Sequence, residues 1–152
     1  MSDDRTFLAA AVEQARIGRA EGGIPIGAAL VVDGEVLATG RNRRVQMGSV
    51  IRHGETDCLE NAGRLPARVY ARATMYTTLS PCAMCTGAVL LYGIPRVVIG
   101  ENKTFLGRED LLRQHGVAVV VLDDPECVQM MSEFIAERPE LWNEDIGVDS
   151  GE

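Results

Sequence analysis

The chain has 152 residues, 46% of them hydrophobic, with 15 Lys and Arg against 22 Asp and Glu and a formal net charge of −7. That length buries about two-thirds of the unfolded surface in one domain, and no apolar run approaches the ~20 residues of a membrane helix. The acidic balance works against a phosphate backbone as partner, and the acidic start Met1-Ser2-Asp3-Asp4 is unlike a secretory signal. No membrane, no nucleic acid and a cytoplasmic setting are therefore expected. In that setting four cysteines read as metal ligands and free thiols, not as a disulfide framework.

Residues 4–20 place Phe7, Leu8, Ala11, Val12, Ala15 and Ile17 at helical spacing, with Asp3 or Asp4 as cap and Glu21-Gly22-Gly23 as the stop. Ile26 to Val32 reads as a buried strand, Asp33-Gly34 as a hairpin turn and Glu35 to Gly40 as its antiparallel return. Arg41 to Arg52 keeps no period and reads as a loop, in which Arg41, Arg43, Arg44 and Arg52 could form a local basic patch. A helix from His53 to Gly63 follows, then Pro66 in a connection and a strand from Met75 to Leu79.

The next helix, Cys82 to Tyr92, is apolar on most sides through Met84, Ala88, Val89, Leu90 and Leu91, and so is expected to be central or at an interface. Arg96 to Gly100 is a strand, Glu109 to His115 a short helix, and Val117 to Leu122 a fully apolar strand. Asp124-Pro125 opens a helix to about Glu137, which Pro139 breaks. Glu140 to Ile146 is a last short segment, and Val148 to Glu152 a loose tail. This order predicts an α/β fold, a three-layer α-β-α sandwich around a five-stranded mixed sheet. One domain spans residues 1–147, with right-handed parallel crossovers in its later half.

Two short stretches concentrate the chemistry: His53-Gly54-Glu55, and Pro81-Cys82-Ala83-Met84-Cys85, which starts 26 residues after Glu55. Each half alone is a weak signal. In this order and separation they match the signature of zinc-dependent base deaminases. Zinc takes four ligands, and a catalytic zinc keeps one position for water. His53, Cys82 and Cys85 offer three, while Cys58, Cys127 and His115 are scattered singly. Three ligands beside the Glu55 carboxylate describe a working centre better than a closed structural one.

Ser80-Pro81 reads as an N-cap and first helical position, which places Cys82 and Cys85 on one face of the first turn. His53 and Glu55, two residues apart, share no helix face, so both reach one metal only where the helix end points at it. The expected arrangement is two helix N-termini converging on one zinc. Plainer roles stand beside these: a structural metal or redox Cys-x-x-Cys, a solvated Glu55, Asn42 in a turn after Gly40, and Asp145 as a surface acid. Phe105, Trp142 and Ile146 could equally be core packing, Cys58 and Cys127 buried hydrophobes, and His115 a helix-end residue.

The chain resembles the cytidine deaminase superfamily, and within it most closely the cytosine deaminases of fungal type. The likeness runs from about Gly22 to Gly147. It includes Glu21-Gly22-Gly23-Ile24-Pro25-Ile26-Gly27, Gly48-Ser49, Leu59-Glu60-Asn61, Leu79-Ser80-Pro81-Cys82, Met84 to Ala88 and Tyr92 to Arg96. Glu137-Arg138-Pro139, Trp142 and Glu144 to Gly147 extend it, an ending that tRNA-acting deaminases lack.

The resemblance implies an intracellular homodimer with one zinc per chain, hydrolysing a free base, cytosine first, to its oxo product and ammonia. His53, Cys82 and Cys85 would hold the zinc and Glu55 would carry protons. Asn42 and Asp145 would bond the base edge, with the Gly54 amide and Ser80 carbonyl nearby, and Phe105, Trp142 and Ile146 would close the pocket. Two residues depart from the fungal pattern: Arg52, where an apolar residue is expected, and Cys58, in the helix of Glu55. Arg52 is thus offered as a specificity residue, with isocytosine, an amino-triazine or guanine as rival rings. Adenosine in tRNA is a further rival substrate. A zinc-stabilised interaction module without turnover is the rival that is not an enzyme.

Overall fold

The computed structural model describes residues 2–149. The last three residues of the expected tail lie outside the described residues, while Val148 is tied back through its N–H to Asn143 O at 2.8 Å. Helix α1 (Ser2–Ala20) leads into the hairpin β1 (Gly27–Val32) and β2 (Glu35–Arg41), then α2 (Arg44–Met47) and α3 (Gly54–Ala62). A short α4 (Ala67–Tyr70), β3 (Ala73–Leu79), α5 (Ala83–Leu91) and β4 (Arg96–Glu101) follow. The chain ends with α6 (Glu109–Gln114), β5 (Ala118–Val121), α7 (Pro125–Glu137) and α8 (Pro139–Asp145).

The strands form one mixed sheet in the order β2-β1-β3-β4-β5. β1 is antiparallel to β2 and β3, whereas β3, β4 and β5 run parallel. Alternation along the strands divides the core. Ala28, Leu30, Met75, Val97 and Ile99 pack beneath Cys58, Val89 and Leu112 of α3, α5 and α6. Ala29, Val31, Tyr76 and Val98 face α1 and α7 through Leu8, Ala11, Val12, Cys127 and Met130. This is the expected three-layer sandwich.

The turn at Asp33-Gly34 has both residues at positive φ, 51° and 79°, as a two-residue hairpin of type I′ requires. At Gly40 a Cβ would stand 2.2 Å from the Cys58 amide nitrogen, so α3 lies directly on β2. Cys58 is fully buried at this crossing, a small residue where backbone meets backbone.

Four expectations are corrected. Asp4 lies inside α1, where its carboxylate accepts two hydrogen bonds from Arg96 and one from Tyr76 OH instead of capping the helix. The segment 41–52 contains the end of β2 and the four-residue α2. The connection after α3 holds α4. Finally, the last strand is shorter than the expected Val117 to Leu122: β5 covers Ala118–Val121, at the sheet edge and only partly covered.

Candidate active site

The two motifs meet at the ends of α3 and α5. His53 is the N-cap of α3, in extended backbone, and its N–H donates to Thr56 Oγ1 at 2.9 Å. Glu55 is the second residue of that helix and is buried. Cys82 is the N-cap of α5, and its carbonyl accepts the first helical bond from Thr86 N at 2.9 Å. The helix therefore starts two residues later than Ser80-Pro81 suggests. Ser80 cannot cap it, because its hydroxyl donates to Glu109 Oε2 at 2.7 Å and accepts from Gly107 N at 2.9 Å.

His53 Nδ1 lies 3.4 Å from Cys82 Sγ and 3.8 Å from Cys85 Sγ. All three ligand atoms fall within 4.8 Å of one another. Ligands at zinc bond lengths in a tetrahedron stand about 3.5–3.8 Å apart, so the donor set and its spacing fit one zinc ion. The Cys82 thiol is lowered to about 4, first by the hydrogen bond from Cys85 and then by His53, against the opposing effect of burial. Its thiolate in turn keeps the deeper Cys85 thiol well above the usual range. Burial pushes Glu55 up to about 7, and the negative Cys82 adds to the rise.

A cavity of ≈ 20 Å³ adjoins the triad, room for about one water. His53, Glu55, Ser80, Cys82, Phe105, Trp142, Asp145 and Ile146 line it, together with Ile26 and Leu79, which the sequence did not single out. Phe105 and Trp142 meet edge to face, their ring centroids 5.6 Å apart. Asn42, Gly54, Cys85 and Arg52 do not line the cavity. Asn42 is fully buried behind Asp145, donating from Nδ2 to Asp145 Oδ1 at 2.8 Å. Gly54 is the first residue of α3, so its amide has no partner inside the helix.

The guanidinium of Arg52 is engaged elsewhere. It meets Asp57 Oδ1 at 2.6 Å, while Arg43 Nε and the Arg41 amide reach Asp57 Oδ2. Asp57 is fully buried and takes all three donors, an arrangement that places Arg52 in the support of α3 rather than in the pocket.

Residues outside the motifs hold the cavity wall. Glu109, 3% exposed, binds Ser80 Oγ and Asn102 Nδ2. Glu101, also buried, accepts from the amides of Lys103 and Thr104, so the segment carrying Phe105 is pinned at both ends. Gly107 is obligatory here, since a Cβ would stand 1.8 Å from Pro81 O. Neither glutamate carries a local sequence signal; Gly107-Arg108 between them is the one visible break.

Residues 1–101 match the family model described as the cytidine and deoxycytidylate deaminase zinc-binding region. The cytosine deaminase of Candida albicans is 56% identical over 146 residues, 95% of this chain and 97% of that protein. The tRNA-specific adenosine deaminase of Bacillus subtilis is 33% identical over 148 residues, 90% and 91% of the two chains. A solved structure from work on tRNA:A34 deaminases superposes with a TM-score of 0.71 at 28% identity, over 83% of this chain and 99% of that one. The matched zinc-binding region contains His53, Cys82 and Cys85, the three residues that the fold brings together. The chain belongs to the cytidine and deoxycytidylate deaminase family and is a zinc-binding deaminase.

Proposed function

We propose that this enzyme hydrolyses free cytosine to uracil and ammonia, with Glu55 as the proton carrier. The observation that carries the choice of ring is the 56% identity, over nearly the full length of both chains, to a protein named cytosine deaminase. Zinc held by His53, Cys82 and Cys85 would supply a water activated near neutral pH. Glu55 would carry one proton of the water to the ring nitrogen while the water oxygen bonds to the amine-bearing carbon. It would then carry the remaining proton of that oxygen to the amine, so that the C–N bond breaks, ammonia leaves and the oxygen stays as the carbonyl. Burial, which raises Glu55 above the ordinary carboxylate range, suits both directions of transfer.

The rest of the pocket reads and holds the ring. Asp145 accepts from a base N–H, and Asn42 presents the amide hydrogen that Asp145 leaves unused. The Ser80 carbonyl and the Gly54 amide add an acceptor and a donor. Phe105, Trp142 and Ile146 cover the ring faces, and Phe105 and Ile146 also line a wider groove of ≈ 540 Å³ that opens beside His53, Cys82 and Asp145. Arg52, bound to Asp57, is left with no part in selecting the ring.

A free base is favoured over RNA by the arginines of the 41–52 segment. Arg41 is bound to Glu21, Arg43 and Arg52 share Asp57, and Arg44 lies 3.6 Å from the Glu144 carboxylate, so each of the four guanidinium groups of the expected basic patch is already engaged by a carboxylate. Ammonia release by the zinc-loaded protein should be measured on cytosine, isocytosine, guanine, an amino-triazine and a tRNA anticodon stem-loop. Cytosine should give the highest specificity constant. A higher value for another ring, or for the RNA, overturns the assignment.

We further propose a homodimer working in the cytoplasm. Leu91 at the end of α5 is 74% exposed and its C-cap Tyr92 48%, and Tyr92 and Ala88 line one groove with Ile51, 59% exposed, an apolar face that a second copy would cover. Four free cysteines suit a reducing compartment, and no described helix is long and apolar enough to cross a membrane. Light scattering should give a dimer mass that Leu91→Glu halves; a monomer for the wild type contradicts this.

A further inference from the structure

We infer that Arg44 is a positioning residue that holds Asn42 and Asp145 in register with each other. The inference rests on the proposed base-reading role of those two side chains. Arg44 opens α2, and its backbone N–H donates to Asn42 Oδ1 at 3.1 Å. That contact fixes the amide of Asn42. Its oxygen faces the Arg44 amide and its NH2 faces Asp145, where Nδ2 and Oδ1 are 2.8 Å apart. Turning the amide over would set nitrogen against N–H and oxygen against a carboxylate, two repulsive contacts in a site without exposure. Asn42 is thereby committed to offering a hydrogen-bond donor beside the Asp145 acceptor.

The side chain of the same residue reaches the far partner. Arg44 Nη1 donates to Glu144 O at 2.9 Å and stands 3.8 Å from Asp145 Oδ1. Its Nη2 lies 3.6 Å from the Glu144 carboxylate, and Nε donates to Ser49 O at 3.2 Å. The side chain is 12% exposed, so this fork is packed into the structure. Glu144 and Asp145 form the last turn of α8, where the Glu144 carbonyl, which also accepts from Gly147 N at 3.3 Å, gains the guanidinium as a charged donor. The planar fork serves Ser49 O and Glu144 O together, which a lysine ammonium, a single point of charge, does not reproduce. One residue thus binds Asn42 through its backbone and the Asp145 turn through its side chain.

The test compares zinc-loaded wild type, Arg44→Lys and Arg44→Met. Trp142, the sole tryptophan, sits on α8 and reports on that helix. In Arg44→Met, acrylamide quenching of Trp142 without substrate should rise, and KM for cytosine should rise about tenfold or more, with a smaller fall in kcat. Arg44→Lys should lie between, and zinc content should stay the same in all three. Equal quenching and equal KM in Arg44→Met and wild type overturn the inference. So does a melting temperature that falls equally in Arg44→Lys and Arg44→Met, which would mark general damage. A wild type that leaves cytosine intact overturns the substrate reading instead, and the Trp142 quenching still decides whether Arg44 clamps α8.

Discussion

The two ring nitrogens of His53 face different partners: Nδ1 looks at the cysteine sulfurs, and Nε2 lies 3.4 Å from Asp145 Oδ1. A carboxylate behind a ligating imidazole fixes its tautomer, because Nε2 carries the proton and Nδ1 keeps its lone pair for the metal. Asp145 therefore stands between the metal centre and the base-reading side of the pocket. Asp145→Ala should weaken zinc binding by about 10–100-fold, as loss of such a partner typically does. Competition against a chelator measures this without substrate. Unchanged zinc affinity would confine Asp145 to the substrate.

Gly107 packs on the carbonyl of Pro81, one residue before the ligand Cys82, at a distance no Cβ tolerates. Gly107→Ala should push the Pro81-Cys82 segment outward, lowering stability by about 1–3 kcal/mol. Zinc occupancy should fall with it. Thermal unfolding and metal analysis report the two effects, and a variant with full zinc and wild-type stability would show that the segment yields freely.

Asp4 ties α1 to the sheet through Arg96 and Tyr76, and the Arg96 guanidinium holds its carboxyl below the usual 3.8. A depressed folded pKa contributes stability above the unfolded value, lost as pH falls through the folded one. Asp4→Asn should therefore cost about 2–3 kcal/mol near neutral pH. The gap to wild type should narrow as pH falls below the usual carboxylate value and through the lowered folded one, where the wild-type carboxylate is protonated. Denaturant midpoints across that range test the sign; a gap that widens on acidification would reverse it.

The sequence made the metal centre legible because each ligand is fixed by a pattern within a few residues, and the strands legible by short apolar runs bounded by turn residues. What it hid was non-local. Ser80 looks like a cap until Glu109, 29 residues on, takes its hydroxyl. Asp4 looks like a cap until Arg96, 92 residues away, takes its carboxylate. Arg52 stands out as a departure from the fungal pattern, and nothing local shows that folding buries Asp57 under two guanidinium groups and a backbone amide, one of those groups being that of Arg52 itself. The helices α2 and α4, four residues each, are too short to show a period. Asn42 and Asp145 came from family likeness, and their mutual hydrogen bond was invisible to spacing because 103 residues separate them.

Everything proposed for the chemistry turns on Glu55 carrying protons at a zinc site built by His53, Cys82 and Cys85. Uracil formation from cytosine should be followed in wild type and Glu55→Gln, each with its zinc content determined. Full zinc is expected in both, with turnover in the wild type and a loss of at least about 100-fold in the variant, the scale of general acid–base catalysis. Zinc-replete Glu55→Gln turning over cytosine at close to the wild-type rate would remove Glu55 from that role.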